Sequence, residues 1–233
     1  MLSILVDYDN VHSLTTSRGA RYLTDKILAA LPSSLVSRHK NASVRFYGGW
    51  FLGQTLTRRA QGLSSDLSNS FPTTFSSPGE HKIFVRAELA RSLLVDPGRD
   101  LWHTYRIRQF PQKLTCALPA ARGCTDQSCP LSAIAAAITS GACPTSGCTI
   151  SPCDLFERNE QKLVDSMIGV DGLHISRTSD DLVIVSSDDD LWPPIHSALA
   201  CGKDVHLLQT LQRTSPYGRV VRGVGANFWE GTL

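Results

Sequence analysis

Two short segments of the sequence concentrate carboxylates, VDYDN at 6–10 and SSDDD at 186–190. Each follows an apolar run, at 2–6 and at 182–185, of the length expected for a buried strand. Ligands of open α/β sheets bind beyond the carboxyl ends of the strands. Adjacent aspartates repel one another, and a divalent cation that prefers carboxylate oxygens would relieve that repulsion. The alternative interpretation is an acidic turn exposed to solvent at a strand end.

A third acid, Asp165, lies in a segment predicted to be helical, 154–168, because its apolar residues recur at helical spacing. We expect Gly169 and Gly172 to end this helix. Lys162 and Asp165 are three residues apart and would share one helix face. On a helix that borders the sheet, Asp165 could project into the same site as the acids at the two strand ends. The alternative is an ordinary Lys–Asp pair on the surface.

The remaining elements alternate along the chain. Further strands are predicted at 43–51, 82–88, 101–108 and 204–208, further helices at 20–31, 54–68 and 193–200, and a loop at 69–80. Strands that alternate with helices predict an α/β fold with a mostly parallel central sheet flanked by helices.

The composition changes between 114 and 153, where six of the seven cysteines lie around one helix predicted at 131–139. We interpret this stretch as a cysteine-rich insertion in a single domain of 233 residues. Its spacings suit a structural zinc site of four thiolates. The candidate ligands are Cys124 and Cys129 with Cys143 and Cys148, or with Cys148 and Cys153 as the second pair. Reduced thiols without metal are the alternative, and Cys201 is expected in the core.

The net charge of +2 conceals an uneven distribution. Residues 1–113 contain 15 Lys and Arg against 8 Asp and Glu, whereas residues 114–233 contain 8 against 13. Such a split is typical of an enzyme that binds a polyanion near acidic metal ligands, and equally of scattered surface charge. Candidate phosphate contacts are Arg58, Arg59, Arg106, Arg108 and Lys113. No apolar run approaches the ~20 residues that span a bilayer, and no signal-peptide pattern is present, so we expect a cytoplasmic protein without membrane contact.

Four motifs in order resemble the NYN domain, a branch of the PIN-like metal-dependent ribonucleases: VDYDN, QKLVDSMIGVD, LVIVSSDDDLWPPI and GKDVHLL. That family has an acid after its first strand with an Asn three residues on, a Lys-x-x-Asp helix, and a Ser-Gly-Asp-x-Asp-Phe-x-Pro segment. The resemblance covers about 1–12 and 157–208. Ser187 stands where the family usually has Gly, and Leu191 where it usually has Phe.

The resemblance implies a Rossmann-like PIN/NYN fold with an Mg²⁺ or Mn²⁺ site. The implied metal ligands are Asp7, Asp165, Asp188 and Asp190, with Asp171 as a further candidate. Asn10 completes the implied catalytic set by orienting an acid, a water or a phosphate. Candidate substrate contacts are Arg58, Arg59, Lys162 and Ser186, while Asp9 and Asp189 fall at positions that the family leaves variable.

The implied activity is hydrolysis of RNA phosphodiester bonds by an endoribonuclease. One alternative is a nuclease that acts on DNA or on particular nucleic-acid structures. Another is a catalytically weak RNA-binding or regulatory module that retains the fold. The presence of all four main acids argues against that module, because an inactive copy has no need for clustered negative charge.

Overall fold

A computed structural model of the protein describes residues 1–76, 81–109, 116–126, 128–178, 180–211 and 225–233. The chain divides into two compact units, one formed by Met1–Tyr105 with Gln161–Leu233 and the other by Arg106–Glu160. The predicted insertion, 114–153, falls within the range of the second unit. The interpretation of the chain as one nuclease domain with an insertion stays a prediction.

The described strands and helices are as follows in chain order. The strands are β1 (Leu2–Asp7), β2 (Asn41–Tyr47), β3 (Phe51–Leu52), β4 (Thr55–Leu56), β5 (Thr73–Ser76), β6 (Lys82–Leu89), β7 (Tyr105–Gln109), β8 (Glu157–Gln161), β9 (Asp181–Val185), β10 (Val205–Gln209) and β11 (Phe228–Thr232). The α-helices are α1 (Ser13–Thr16), α2 (Ala20–Ala30), α3 (Ser33–Val36), α4 (Arg58–Ser70), α5 (Pro130–Ser140), α6 (Pro152–Leu155), α7 (Val164–Ser176) and α8 (Trp192–Ala200). Two 3₁₀ turns cover Pro119–Arg122 and Asp189–Leu191.

The first unit is built on a seven-stranded sheet in the order β11-β10-β9-β1-β2-β6-β5. All neighbours run parallel except β5, which pairs antiparallel with β6 at one edge. Strands β1 and β9 lie in the middle, and their near-continuous apolar sequences are typical of strands buried on both faces. The prediction of an α/β fold with a mostly parallel central sheet is confirmed.

Helices cover both faces of this sheet. Because side chains alternate along a strand, Ile4 and Val6 of β1 face a core that includes α2 and α4. Leu5 faces the other core, which includes α7 and α8. Residues 3, 5 and 7 of β1 therefore point to the α7 side of the sheet. Among the described residues, no helix is long and apolar enough to cross a bilayer.

The prediction of a helix at 154–168 is wrong. Helix α6 ends at Leu155, strand β8 follows, and α7 begins only at Val164. The residue before α7, Leu163, has a left-handed backbone with φ of 67°, which apolar periodicity does not reveal. Helix α7 then continues through both glycines that were expected to end it. A Cβ at Gly172 would lie 3.8 Å from side chains of the sheet, so this glycine sits where the helix packs closely on the strands.

Other boundaries also differ from the sequence prediction. The predicted loop at 69–80 contains β5, and its residues 77–80 lie outside the described part of the chain. Helix α4 begins at Arg58, because the Thr57 hydroxyl accepts a hydrogen bond from the Ala60 amide and caps it. Strand β7 begins at Tyr105 rather than at 101. Cys201 follows α8 and is exposed rather than buried in the core.

The second unit contains most of β7 and β8, which are neighbours in a sheet, together with α5 and α6. Helix α5 confirms the predicted helix at 131–139. It starts at Pro130, a residue suited to a first helical turn, and ends at Gly141 in a left-handed conformation.

Candidate metal centre

Three carboxylates of the first unit form a cluster that we call the acidic triad: Asp7, Asp165 and Asp188. One ligand oxygen from each lies within 4.8 Å of the others. Asp7 is the last residue of β1, Asp165 lies in the first turn of α7, and Asp188 follows β9. Three elements that are distant in sequence thus contribute one acid each to the same edge of the sheet.

The fold explains why these acids meet. Strands β1 and β9 run side by side and parallel, with Val6 opposite Val185, so their carboxyl ends share one edge of the sheet. Asp7 points to the α7 side because it is on the same face as Leu5. Buried Val164 and Ile168 hold the start of α7 in the core, and the intervening Asp165 is only partly buried.

Asp7 is completely buried and is held in place by two side chains. Its Oδ2 accepts a hydrogen bond from the Asn10 amide and another, of 2.9 Å, from the Ser186 hydroxyl. The same hydroxyl accepts a hydrogen bond of 3.0 Å from the Asp188 backbone amide. Asn10 therefore contacts an acid, which is one of the three roles that the resemblance left open for it. Ser186, predicted as a substrate contact, is instead buried and links Asp7 to Asp188.

Two oxygens of the acidic triad are buried without a hydrogen-bond partner among the described residues. The Oδ1 atoms of Asp7 and of Asp165 accept no hydrogen bond from the residues that the structure describes. Buried polar atoms are nearly always paired, so each of these oxygens needs an explanation. Oxygens bound to one octahedral ion at about 2.1 Å are about 3 to 4 Å apart, which is near the triad spacing. The donor set therefore fits a divalent metal ion, and the acidic triad could hold one.

Without a bound cation, burial and mutual repulsion disfavour the state in which all three acids of the triad are ionised. Burial, the largest cause, and then the charges of Asp188, Asp7 and Asp190 in that order together raise the pKa of Asp165 to about 6. Burial also raises the pKa of Asp7, against the hydrogen bonds from Asn10 and Ser186. A bound cation would reverse both effects, because it stabilises the ionised form of each carboxylate.

Asp190, the fourth predicted metal ligand, lies beside the acidic triad but not in it. Its side chain is exposed, and its backbone amide donates a hydrogen bond of 3.1 Å to Asp188 Oδ1. Asp190 influences the site through its charge, which contributes to raising the pKa of Asp165. Asp189 is also exposed and outside the triad.

Asp171, the further candidate ligand, belongs to a different cluster. Its Oδ2 accepts a hydrogen bond of 2.7 Å from the Tyr47 hydroxyl and lies 3.2 Å from the Arg45 guanidinium. Its Oδ1 accepts a hydrogen bond of 2.8 Å from the Leu94 amide. With both oxygens engaged and the residue fully buried, Asp171 stabilises the packing of α7 on β2. The sequence signal for this network is an Arg and a Tyr two residues apart in a strand that is mostly buried.

The predicted cationic contacts are distributed unevenly. Arg59 forms an ion pair with Asp9, donates to the Tyr8 carbonyl and lies over the Tyr8 ring. Arg58 is exposed at the start of α4. Lys162 precedes α7, so the prediction that it shares a helix face with Asp165 is wrong.

The remaining candidates belong to the range of the second unit. Arg106 is exposed, and Arg108 forms an ion pair of 2.7 Å with Glu160. Lys113 lies outside the described residues.

Within the described part of the chain, the cysteines of the predicted zinc site do not come together as a group of metal ligands. Among the described residues, no group of three or more Cys, His, Asp or Glu ligand atoms lies close enough to hold a metal except the acidic triad. Cys143 and Cys148 instead line a largely apolar cavity with Ile134 and Phe156. Hydrogen bonds from the Thr145 amide and from side chains of Thr145 and Cys148 lower the pKa of the Cys143 thiol. Zinc binding by these cysteines and by Cys124, Cys129 and Cys153 stays a prediction.

Comparisons with protein-family models, with curated proteins and with solved structures found no match for this chain. What the chain does is therefore inferred from its own residues and their geometry.

Proposed function

We propose that this chain is a metal-dependent nuclease that hydrolyses phosphodiester bonds of RNA, with Mg²⁺ or Mn²⁺ held by the acidic triad. One observation carries the proposal: two of the three clustered carboxylates have a buried oxygen without a hydrogen-bond partner among the described residues. The cluster lies at the carboxyl edge of a mostly parallel sheet, where α/β proteins bind ligands. The preference of Mg²⁺ and Mn²⁺ for carboxylate oxygen favours these ions.

In the proposed site, some residues would bind the metal ion and others would position its ligands. Asp7, Asp165 and Asp188 would hold the ion, and the exposed Asp190 adds negative charge beside them. A bound divalent ion supplies a more acidic water and stabilises the negative charge that develops on a phosphoryl group under attack. Asn10 and Ser186 bind one oxygen of Asp7 and leave the other without a hydrogen bond from the described residues, so that it could bind the ion.

The choice of RNA and of internal cleavage comes from the NYN-like motifs of the sequence. DNA is the alternative substrate, since the metal chemistry does not depend on the sugar. Incubation of the purified chain with labelled single-stranded RNA and DNA, in Mg²⁺, Mn²⁺ or EDTA, separates these substrates. A covalently closed circular RNA tests internal cleavage, because it offers no end to an exonuclease.

Replacing a triad acid by its amide is the direct test. Asp165→Asn and Asp188→Asn should each lower the cleavage rate by at least about 100-fold, more than the loss of a residue that only supports a ligand. Asp189→Asn is the matched control, because it makes the same charge change on an exposed residue next to Asp188. Circular dichroism should show that all three variants are folded.

Two results would overturn the proposal. One is cleavage by folded Asp165→Asn or Asp188→Asn at the rate of the unchanged chain. The other is the absence of cleavage of either nucleic acid in both metals, with no binding of Mn²⁺ by titration calorimetry.

A further inference from the structure

A concave surface lies at the amino ends of β1, β2 and β6, in the same unit as the acidic triad. We call it the basic pocket; it has a volume of about 520 Å³, and its lining includes Arg38, His39, Lys40, Ser43, Phe84 and Arg86. In the sheet register, Leu2 of β1 lies opposite Ala42, whereas Asp7 lies opposite Tyr47. Five residues of strand at about 3.3 Å each separate these two levels by about 16 Å. The basic pocket is therefore distinct from the acidic triad.

An aromatic side chain is exposed within the basic pocket. Ile83 and Val85 of β6 are completely buried, and the alternation of the strand turns Phe84 outward, with 36% of its surface exposed. The same alternation places Lys82 and Arg86 on the outward face, one on each side of Phe84, and both are exposed. The Arg86 guanidinium carbon is 5.8 Å from the centre of the Phe84 ring. A planar apolar surface is thus bordered by two cations.

Most of the positive charge around the basic pocket has no ion-pair partner among the described residues. Lys40, Lys82 and Arg86 have no ion-pair partner in the part of the chain that the structure describes. Arg38 and His39 share one acid, Asp181, at 3.3 and 2.7 Å. A concave surface with several unneutralised cations attracts a polyanion.

We propose that the basic pocket binds a single-stranded segment of nucleic acid, with a base stacked on Phe84 and phosphates bound by Lys40 and Arg86. Unpaired bases expose their faces to aromatic side chains, whereas a duplex keeps them stacked inside. An acidic polypeptide would satisfy the cations but would offer no flat ring to Phe84. The choice of RNA as ligand rests on the proposed function, whereas binding itself requires neither metal nor cleavage.

Binding is measured by fluorescence polarisation with a labelled 12-nucleotide single-stranded RNA in EDTA, which prevents metal-dependent cleavage. Phe84→Leu keeps an apolar side chain but removes the ring, and it should weaken binding about fivefold or more, as expected for the loss of one stacked base. Phe84→Trp keeps a stacking surface and should bind at least as tightly as the unchanged chain. Thermal unfolding checks that both variants are folded.

The phosphate contacts are tested by the salt dependence of the same measurement. Lys40→Gln and Arg86→Gln should each reduce the slope of log affinity against log salt concentration by about 0.7, the value for one phosphate contact on a single strand. Arg21→Gln is the control, because Arg21 is exposed on α2 and is not in the pocket. It should leave the slope unchanged.

Three outcomes would contradict the basic-pocket proposal: unchanged affinity of Phe84→Leu, equally tight binding of a duplex of the same length, or equally effective competition by polyglutamate. The last would indicate an acidic protein partner instead. Hydrolysis of the small diester bis(4-nitrophenyl) phosphate in Mn²⁺ reports separately on the acidic triad and should not change in Phe84→Leu. A chain without hydrolysis would still show the Phe84 effect, so the two proposals fail independently.

Discussion

Among the three acids of the triad, Asp165 has the ionised form that the folded protein destabilises most. Burial, followed by the charges of Asp188, Asp7 and Asp190, raises its pKa to about 6, from about 4 in an unfolded chain. Between these two values the folded protein binds a proton that the unfolded chain releases. Its stability therefore falls as the pH rises from about 4 through about 6 when no cation is present.

Removing this charge should stabilise the metal-free protein. In EDTA at pH 7.5, we expect Asp165→Asn to melt at a higher temperature than the unchanged chain, because the repulsion within the triad is relieved. Near pH 4 the difference should disappear, since Asp165 is then protonated in the folded state. Mn²⁺ should raise the melting temperature of the unchanged chain and not that of the variant. A lower melting temperature of Asp165→Asn in EDTA at pH 7.5 would show that the acids do not repel one another as described.

Removing Asp171 should have the opposite effect on stability, because Arg45 and Tyr47 compensate its charge. Burial and Asp171 raise the pKa of Tyr47 well above its ordinary value of 10, so the hydroxyl stays protonated and donates to Asp171. Asp171→Ala would leave Arg45 buried without this partner and should lower the free energy of unfolding by about 3 to 5 kcal/mol. Tyr47→Phe removes one hydrogen bond to a charged acceptor and should cost about 1.5 to 3 kcal/mol.

Urea denaturation measures both losses, and Tyr47→Phe remains informative if Asp171→Ala does not fold. The stabilisation by Mn²⁺ should persist in Tyr47→Phe, because this network does not include the acidic triad. Loss of that stabilisation in a folded Tyr47→Phe protein would place Asp171 in the metal site after all.

At the scale of elements, the sequence predicted the strands near the centre of the sheet but not the bounds of helix α7. Strands β1, β9 and β10 are short apolar runs, and their burial on both faces makes such runs distinctive. The apolar spacing of 154–168 also continues smoothly, although the chain there forms α6, β8 and the start of α7. The break depends on the backbone of Leu163 and on the pairing of a polar strand, neither of which alters hydrophobic periodicity. The missed strands β5 and β11 lie at the two edges of the seven-stranded sheet, where apolar patterning is weakest.

The glycines inside α7 lead to a stability prediction. A Cβ at Gly172 would lie 3.8 Å from Leu182 and from Leu5, which is an ordinary packing distance. Gly172→Ala should therefore gain helix propensity without a clash and raise the free energy of unfolding by about 0.5 to 1 kcal/mol. Urea denaturation tests this, with the exposed Gly62 of α4 as a control that has open space around it: Gly62→Ala should stabilise similarly. Destabilisation by Gly172→Ala alone would indicate that α7 packs more closely on β1 than described.

For the whole molecule, the sequence predicted the position of the site better than its supporting contacts. The sequence placed Asp7 and Asp188 at the carboxyl ends of two strands, where a site is expected. The parallel pairing of β1 with β9, which the sequence did not predict, brings the two acids to the same place on that edge. The link from Ser186 to Asp7 and the contacts of Asp171 with Tyr47 and Arg45 join side chains that are more than 100 residues apart, and single-sequence patterns do not encode such pairs. The positive excess of residues 1–113 also has a structural counterpart, since Arg38, Lys40 and Arg86 line the basic pocket.

The members of the acidic triad are far apart in the sequence, and this determines when during synthesis the site can form. Its members are residues 7, 165 and 188, and the pairing of β1 with β9 brings the first and last together. During synthesis, the amino-terminal acid leaves the ribosome long before its two companions. No triad forms on the nascent chain until residue 188 has emerged and β9 has docked beside β1. A truncated product that stops before β9 therefore carries one or two of the acids and never the complete triad, so the site is tied to completion of the fold.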